Sequence, residues 1–163
     1  DENDKVIGRE LKSKCHKEGI LHRIAGIILF DSKGNIWLQT RAKNKVSGGK
    51  LDFSASGHIG AGDSYEKGAY KELKEELGIK IDLKLIAKES YKYENIGGNK
   101  IHHFLSIYVG NHNGPFILQK QELEKIETYS IEEIKEIIEK HPEKMTYSLK
   151  EGLNYIKNKN GIK

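Results

Sequence analysis

Glu72, Glu75 and Glu76 occupy relative positions 0, 3 and 4, so a helix through them brings three carboxylates to one side, beside the apolar pair Ala69 and Leu73. Like charges at that spacing repel and need compensation. Lys71, four residues before Glu75, supplies part of it, and a hard divalent cation, Mg²⁺ or Mn²⁺, would supply the rest through oxygen ligands. Immediately upstream, Gly57-His58-Ile59-Gly60-Ala61-Gly62 places three glycines within six residues. Such a loop turns tightly and can bring a backbone carbonyl or amide close to an ion or a phosphate. Either half alone describes a solvated helix face or an ordinary turn. Together they point to a divalent-cation site beside a loop that can approach a phosphate.

The elements that must position these groups follow from periodicity. Tyr65, Ala69, Leu73 and Leu77 fall four apart on one side of a 3.6-residue helix, with Asp63 or Ser64 to cap its start and Gly78 to stop it. Ile24 to Phe30 reads as a buried strand, residues 31–35 as a turn and Ile36 to Thr40 as the return strand of a hairpin. Arg41 to Lys50 is a basic loop, and Leu51 to Ser56 a short strand leading into Gly57. Leu83 to Tyr93 and Ile101 to Val109 form a second hairpin around a turn-rich loop at 94–100. After the punctuation of Gly110 to Pro115 come a strand at 123–129, a helix at 131–139 and a final helix opened by Pro142 and reaching about residue 158. Residues 1–19 are polar around the apolar pair Val6-Ile7 and read as an edge hairpin. The expected architecture is α+β, one domain over residues 1–163 with helices packed on a mixed sheet.

Composition narrows the function classes. The chain is 36% hydrophobic and 32% charged, which is globular and unlike a disordered segment. No run approaches the roughly 18 apolar residues of a membrane span, and no secretory leader is visible, so a cytoplasmic protein is expected. A single cysteine, Cys15, leaves no internal disulfide framework. The net charge of +4 arises from 28 basic and 24 acidic residues spread along the chain. That distribution makes no nucleic-acid stripe, though a mild positive field would help gather anions.

Residues 57–79, Gly-His-Ile-Gly-Ala-Gly-Asp-Ser-Tyr-Glu-Lys-Gly-Ala-Tyr-Lys-Glu-Leu-Lys-Glu-Glu-Leu-Gly-Ile, resemble the Nudix box. Gly57, Glu72, Leu73, Glu75, Glu76, Gly78 and Ile79 match it outright. Asp63 stands where the family usually has glutamate and Lys71 where it usually has arginine, which exchanges a planar fork of donors for a point charge. His22-Arg23 before a strand, Phe30-Asp31-Ser32-Lys33-Gly34, Leu38-Gln39-Thr40-Arg41 and Ser56-Gly57-His58 are similar to the branch that includes isopentenyl-diphosphate isomerase and its hydrolase-like relatives, over roughly residues 5–140.

The resemblance implies an α/β/α sandwich and a Mg²⁺-dependent pyrophosphohydrolase, with Mn²⁺ as a substitute ion. It implies metal ligands at the Gly57 carbonyl, Glu72, Glu75 and Glu76, with catalysis by Glu72 and Glu76. Glu122, in a later loop, is the candidate general base. Asp63 and Lys71 support the site, Lys71 as a brace for the glutamates. His58 is expected near the site; it and His22 correspond to metal-binding histidines of the isomerase branch. Arg23 and Arg41, with Lys43 and Lys45, are candidates for substrate phosphates. The expected partner is a small-molecule diphosphate, with no nucleic-acid polymer and no membrane, and a homodimer is the default assembly for such a protein. Two other readings stand beside the hydrolase: an isopentenyl-diphosphate isomerase and a non-catalytic binding module. The isomerase branch supplies a cysteine where this chain has Ser56. His16 shares no helix or strand period with His22, and His102 and His103 are adjacent, so in a strand only one can enter a site. Tyr91 and Tyr93 share a strand face that could stack on a base.

Overall fold

The structure, a computed structural model, describes residues 1–94 and 100–160. Its elements run α1 (Lys12–Glu18), β1 (His22–Phe30), β2 (Ile36–Arg41), β3 (Leu51–Asp52), β4 (Ala55–His58), α2 (Tyr65–Leu77), β5 (Lys84–Glu94), β6 (Lys100–Asn111), β7 (Leu123–Tyr129), α3 (Ile131–Lys140) and α4 (Tyr147–Asn160). Most of the loop expected at 94–100, residues 95–99, lies outside the described residues.

The strands join in one mixed sheet with helices on both faces, the expected fold class. Its path is β3-β2-β1-β6-β5, with β4 added to β1 and β7 to β2. β1 runs parallel to β6, from His22 opposite His103 to Phe30 opposite Asn111, and antiparallel to β4, from Ile24 opposite His58 to Ile27 opposite Ala55. Strand side chains alternate between faces, and the two faces of β1 feed two cores. Ala25, Ile27 and Leu29 pack under α2 against Ala69, Leu73 and Leu77. Ile28 joins Phe53, Leu105 and Ile107 beneath Ile134 of α3 and Leu149, Leu153 and Ile156 of α4.

Three expectations about the chain's course are corrected. Residues 12–18 form α1 in place of half an edge hairpin, and no strand lies between residues 1 and 11. Two turns burying Cys15 alone are too short to show a period; the helix is set by its packing and by Gly19, whose positive φ of 72° lets its N–H close on the Cys15 carbonyl. Leu51 to Ser56 divides into β3 and β4 because the two halves pair with different partners, β2 and β1. Pro142 opens a single 3₁₀ turn, Pro142–Lys144, and α4 begins at Tyr147. Met145 is held extended by a bridge to Leu51, and the Thr146 N–H donates to the Leu51 carbonyl at 2.9 Å, so the helix cannot start earlier.

Candidate functional site

Ser64 caps α2, its hydroxyl accepting from the Lys67 N–H at 3.1 Å. Gly78 stops the helix in the left-handed conformation at φ 69°. Asp63, the alternative cap, instead pairs with Lys67 at 2.6 Å and does not line the cavity described below. With Ala69, Leu73 and Leu77 fully buried against the sheet, α2 turns Glu72, Glu75 and Glu76 onto the wall of a cavity of about 670 Å³.

Glu76 is 5% exposed. One carboxylate oxygen accepts from the Ser56 N–H at 2.9 Å and from the Gln39 side-chain amide at 3.0 Å. Burial pushes its pKa up to about 8, and the Asp52 and Glu72 charges add to the rise. Glu72 is raised to about 7 by burial and then by the Glu75 charge. Its carboxylate lies over Gly57 so closely that a Cβ there would fall within it. Lys71 is exposed and does not line the cavity; its charge partly offsets the rise at Glu72.

The cavity also carries cations. Arg41 at the end of β2, Lys45 in the following loop and Lys12 from α1 all line it. The Arg41 Nε donates to the Val46 carbonyl at 2.9 Å and its Nη1 to Asp52 at 2.6 Å. Lys45 pairs with Glu122 at 2.6 Å, so the expected general base sits in the cavity with a cation on it. Arg23 is elsewhere: its Nε donates to Asp4 at 2.6 Å, its guanidinium lies 5.0 Å from the centre of the Tyr65 ring, and it is not part of the cavity wall. Lys43 is exposed and likewise does not line it.

Beside the glutamates lies a cluster that spacing alone does not reveal. His16 of α1, His22 at the start of β1 and His58 at the end of β4 bring three ring nitrogens within 4.8 Å of one another. The Nε2 atoms of His16 and His58 are 2.9 Å apart. His22 is oriented by Nδ1, 2.7 Å from the Ile20 carbonyl, which leaves Nε2 as its ligand atom. His103 approaches the His22 ring edge-on at 5.8 Å between centroids. Burial first, and then the neighbouring histidines, with Lys12 acting on His58 and His16, lower His58 to about 2, His103 to about 3 and His16 to about 4. These rings are neutral at pH 7, the form that binds a metal. His103 lines the cavity and its neighbour His102 does not, as adjacency in β6 requires. Tyr91 packs 6.1 Å from the His103 ring and does not line the cavity, whereas the Tyr93 side chain lies outside the described residues.

Both donor sets fit ions. Three carboxylates at a glycine cradle suit a hard cation such as Mg²⁺ or Mn²⁺, and imidazoles suit a borderline one such as Zn²⁺. The carboxylate set also sets a pH dependence. A carboxylate whose folded pKa lies above its unfolded value contributes stability that is full below the unfolded pKa, about 4.5, and is lost as pH rises through the folded values of about 7 and 8. Millimolar Mg²⁺ or Mn²⁺ should therefore raise the melting temperature by several degrees, and by more at pH 8.5 than at pH 6. Thermal melts at both pH values, with and without metal, check this; superimposable melts would remove the carboxylate site.

Residues 20–149 match the NUDIX domain family model. The chain belongs to the Nudix family. This Nudix protein is 33% identical over 147 residues to the isopentenyl-diphosphate Delta-isomerase of Serratia proteamaculans, covering 90% of this chain and 82% of that one. It is 31% identical over 124 residues to the uncharacterized Nudix hydrolase PA4841 of Pseudomonas aeruginosa, covering 76% and 71%. Its fold superposes on DR0079 of Deinococcus radiodurans with a TM-score of 0.78 at 20% identity, over 95% of this chain and 94% of that one. The family, the acidic helix and the histidine cluster are consistent with hydrolase chemistry on a diphosphate. No described helix is long and apolar enough to cross a membrane.

Proposed function

We propose that this Nudix protein hydrolyses a phosphate anhydride in a small diphosphate compound. The observation that carries the reading is that Glu72, Glu75 and Glu76 share one cavity with Lys12, Arg41 and Lys45. Hydrolysis of an anhydride breaks one P–O bond, forms another to water and leaves negative charge on the departing phosphate. Arg41 and Lys45 would hold the phosphoryl oxygens, Arg41 through its planar fork. Glu72, Glu75, Glu76 and the Gly57 carbonyl would hold Mg²⁺, and His16, His22 and His58 a second, borderline ion. When bound, such ions neutralise phosphoryl charge and acidify water. Glu72 or Glu122 would take the proton of the attacking water. Glu122 would do so once substrate phosphate draws Lys45 away from it.

A second reading, isomerisation of isopentenyl diphosphate, is favoured by the histidine cluster and by the names of the isomerase relatives. Two observations weigh against it. Ser56 stands in the place where the isomerase branch carries a cysteine, and a hydroxyl is a far weaker acid than a thiol. Cys15 is buried in α1, its pKa is raised by that burial, and it does not line the cavity. Incubation with Mg²⁺ and a panel of nucleoside diphosphate-linked and simple diphosphates should release phosphate or phosphorylated products. Incubation with isopentenyl diphosphate should leave the double bond unmoved. Sustained, multiple-turnover formation of dimethylallyl diphosphate would overturn the hydrolase reading.

A further inference from the structure

We propose that Asp52 is a positioning residue, setting the Arg41 guanidinium in place for an incoming phosphate. The inference rests on the diphosphate reading of the cavity. Asp52 is 5% exposed and both of its oxygens are engaged. Oδ2 accepts from Arg41 Nη1 at 2.6 Å and lies 3.4 Å from the Ser56 hydroxyl. Oδ1 accepts from the Thr146 hydroxyl and from the Phe53 N–H, each at 2.9 Å. The carboxylate is thus fixed by the backbone N–H of Phe53, just after β3, and by Thr146, the residue preceding α4. The Thr146 hydroxyl is itself held there, 3.3 Å from the Leu149 N–H.

Arg41 is gripped in turn. Its Nη1 bonds to Asp52 and its Nε to the Val46 carbonyl, which uses two of the five N–H donors of a guanidinium and settles its plane. The remaining three are available to a ligand in the cavity that Arg41 lines. A free arginine side chain gives up much rotamer freedom when it grips a phosphate; one already held by a carboxylate and a carbonyl gave it up on folding. A guanidinium keeps its proton beside a carboxylate, and Asp52 divides its oxygens between Arg41 and three further donors. The arginine therefore remains a cation for phosphate while its direction is set.

Asp52→Asn separates this role from simple packing. The carboxamide keeps the volume and one oxygen for Thr146 and Phe53, but turns an NH₂ donor toward the donors of Arg41. The probe is imidodiphosphate with Mg²⁺, titrated calorimetrically, with KM and kcat measured on whichever diphosphate the wild type turns over. We expect D52N to weaken imidodiphosphate binding at least tenfold and to raise KM to match, while kcat at saturation changes less than about threefold. In an Arg41→Ala background, D52N should add less than twofold, because the group it positions is gone. Ser130→Ala, which removes the α3 cap far from the cavity, is the stability control and should lower the melting temperature with Kd unchanged. Unchanged Kd in D52N, the same loss in the Arg41→Ala background, or an equal loss in Ser130→Ala would each overturn the inference. Absence of wild-type binding would sink it together with the diphosphate reading. Wild-type binding without hydrolysis of any diphosphate would sink only the hydrolase reading.

Discussion

Glu76→Gln is expected to lower kcat on the true substrate by about 10² or more, a loss of about 2.7 kcal/mol or more of transition-state stabilisation, without unfolding the protein. The reason lies in the two states of this carboxyl group. Without metal it is buried, bonded to the Ser56 N–H and the Gln39 amide, and raised to about 8, so at neutral pH it is mostly protonated and close in shape and charge to a glutamine. With metal it would be an anionic ligand, which glutamine cannot be. The metal-free melting temperature at pH 7 should therefore change little, while the rise produced by Mg²⁺ should shrink or vanish. Turnover close to wild type would take Glu76 out of the role assigned to it.

Gly57→Ala is expected to be comparably severe although it adds only one methyl group. A Cβ at residue 57 would overlap the Glu72 carboxylate, and the backbone has little room to yield, because Gly57 is paired with Ala25 of β1 in the middle of the β4 register. Glu72 must then leave the cradle, and one of the three carboxylates proposed to hold the ion would be lost to it. We expect kcat to fall by about 10² or more, with the metal-induced stabilisation reduced. Steady-state kinetics and melts with Mg²⁺ check both; a variant within twofold of wild-type kcat would show that Glu72 can work from another position.

The parts of the site legible in the sequence are those that local rules specify. The stripe of Tyr65, Ala69, Leu73 and Leu77, the cap at Ser64 and the stop at Gly78 all lie within one short segment, so the placement of Glu72, Glu75 and Glu76 on a common face followed from the helical period. The strands at 22–30, 36–41 and 123–129 carried equally local signals of β-branched runs and turn residues. The short α1 did not, because two turns with one buried residue leave no pattern to read.

By itself the sequence determined an acidic helix beside a glycine loop and the α+β class, because helical period, capping and turn chemistry act between residues close along the chain, and the motif at residues 57–79 carried the resemblance to the Nudix family. Only the tertiary structure decided which distant residues meet. The cluster of His16, His22, His58 and His103 draws on four elements, and it depends on β1 pairing in one register with β4 and in another with β6. A one-residue slip in either pairing would send its histidine to the opposite face. The same holds for the cations. Arg23 and Arg41 are equally basic in sequence, yet Asp4 holds the first away from the cavity and Asp52 holds the second within it. Those two carboxylates stand 19 and 11 residues from their partners; pairing of β2 with β3 brings Asp52 to Arg41, while Asp4, outside the sheet, is held by Arg23, Tyr65 and Lys88 together.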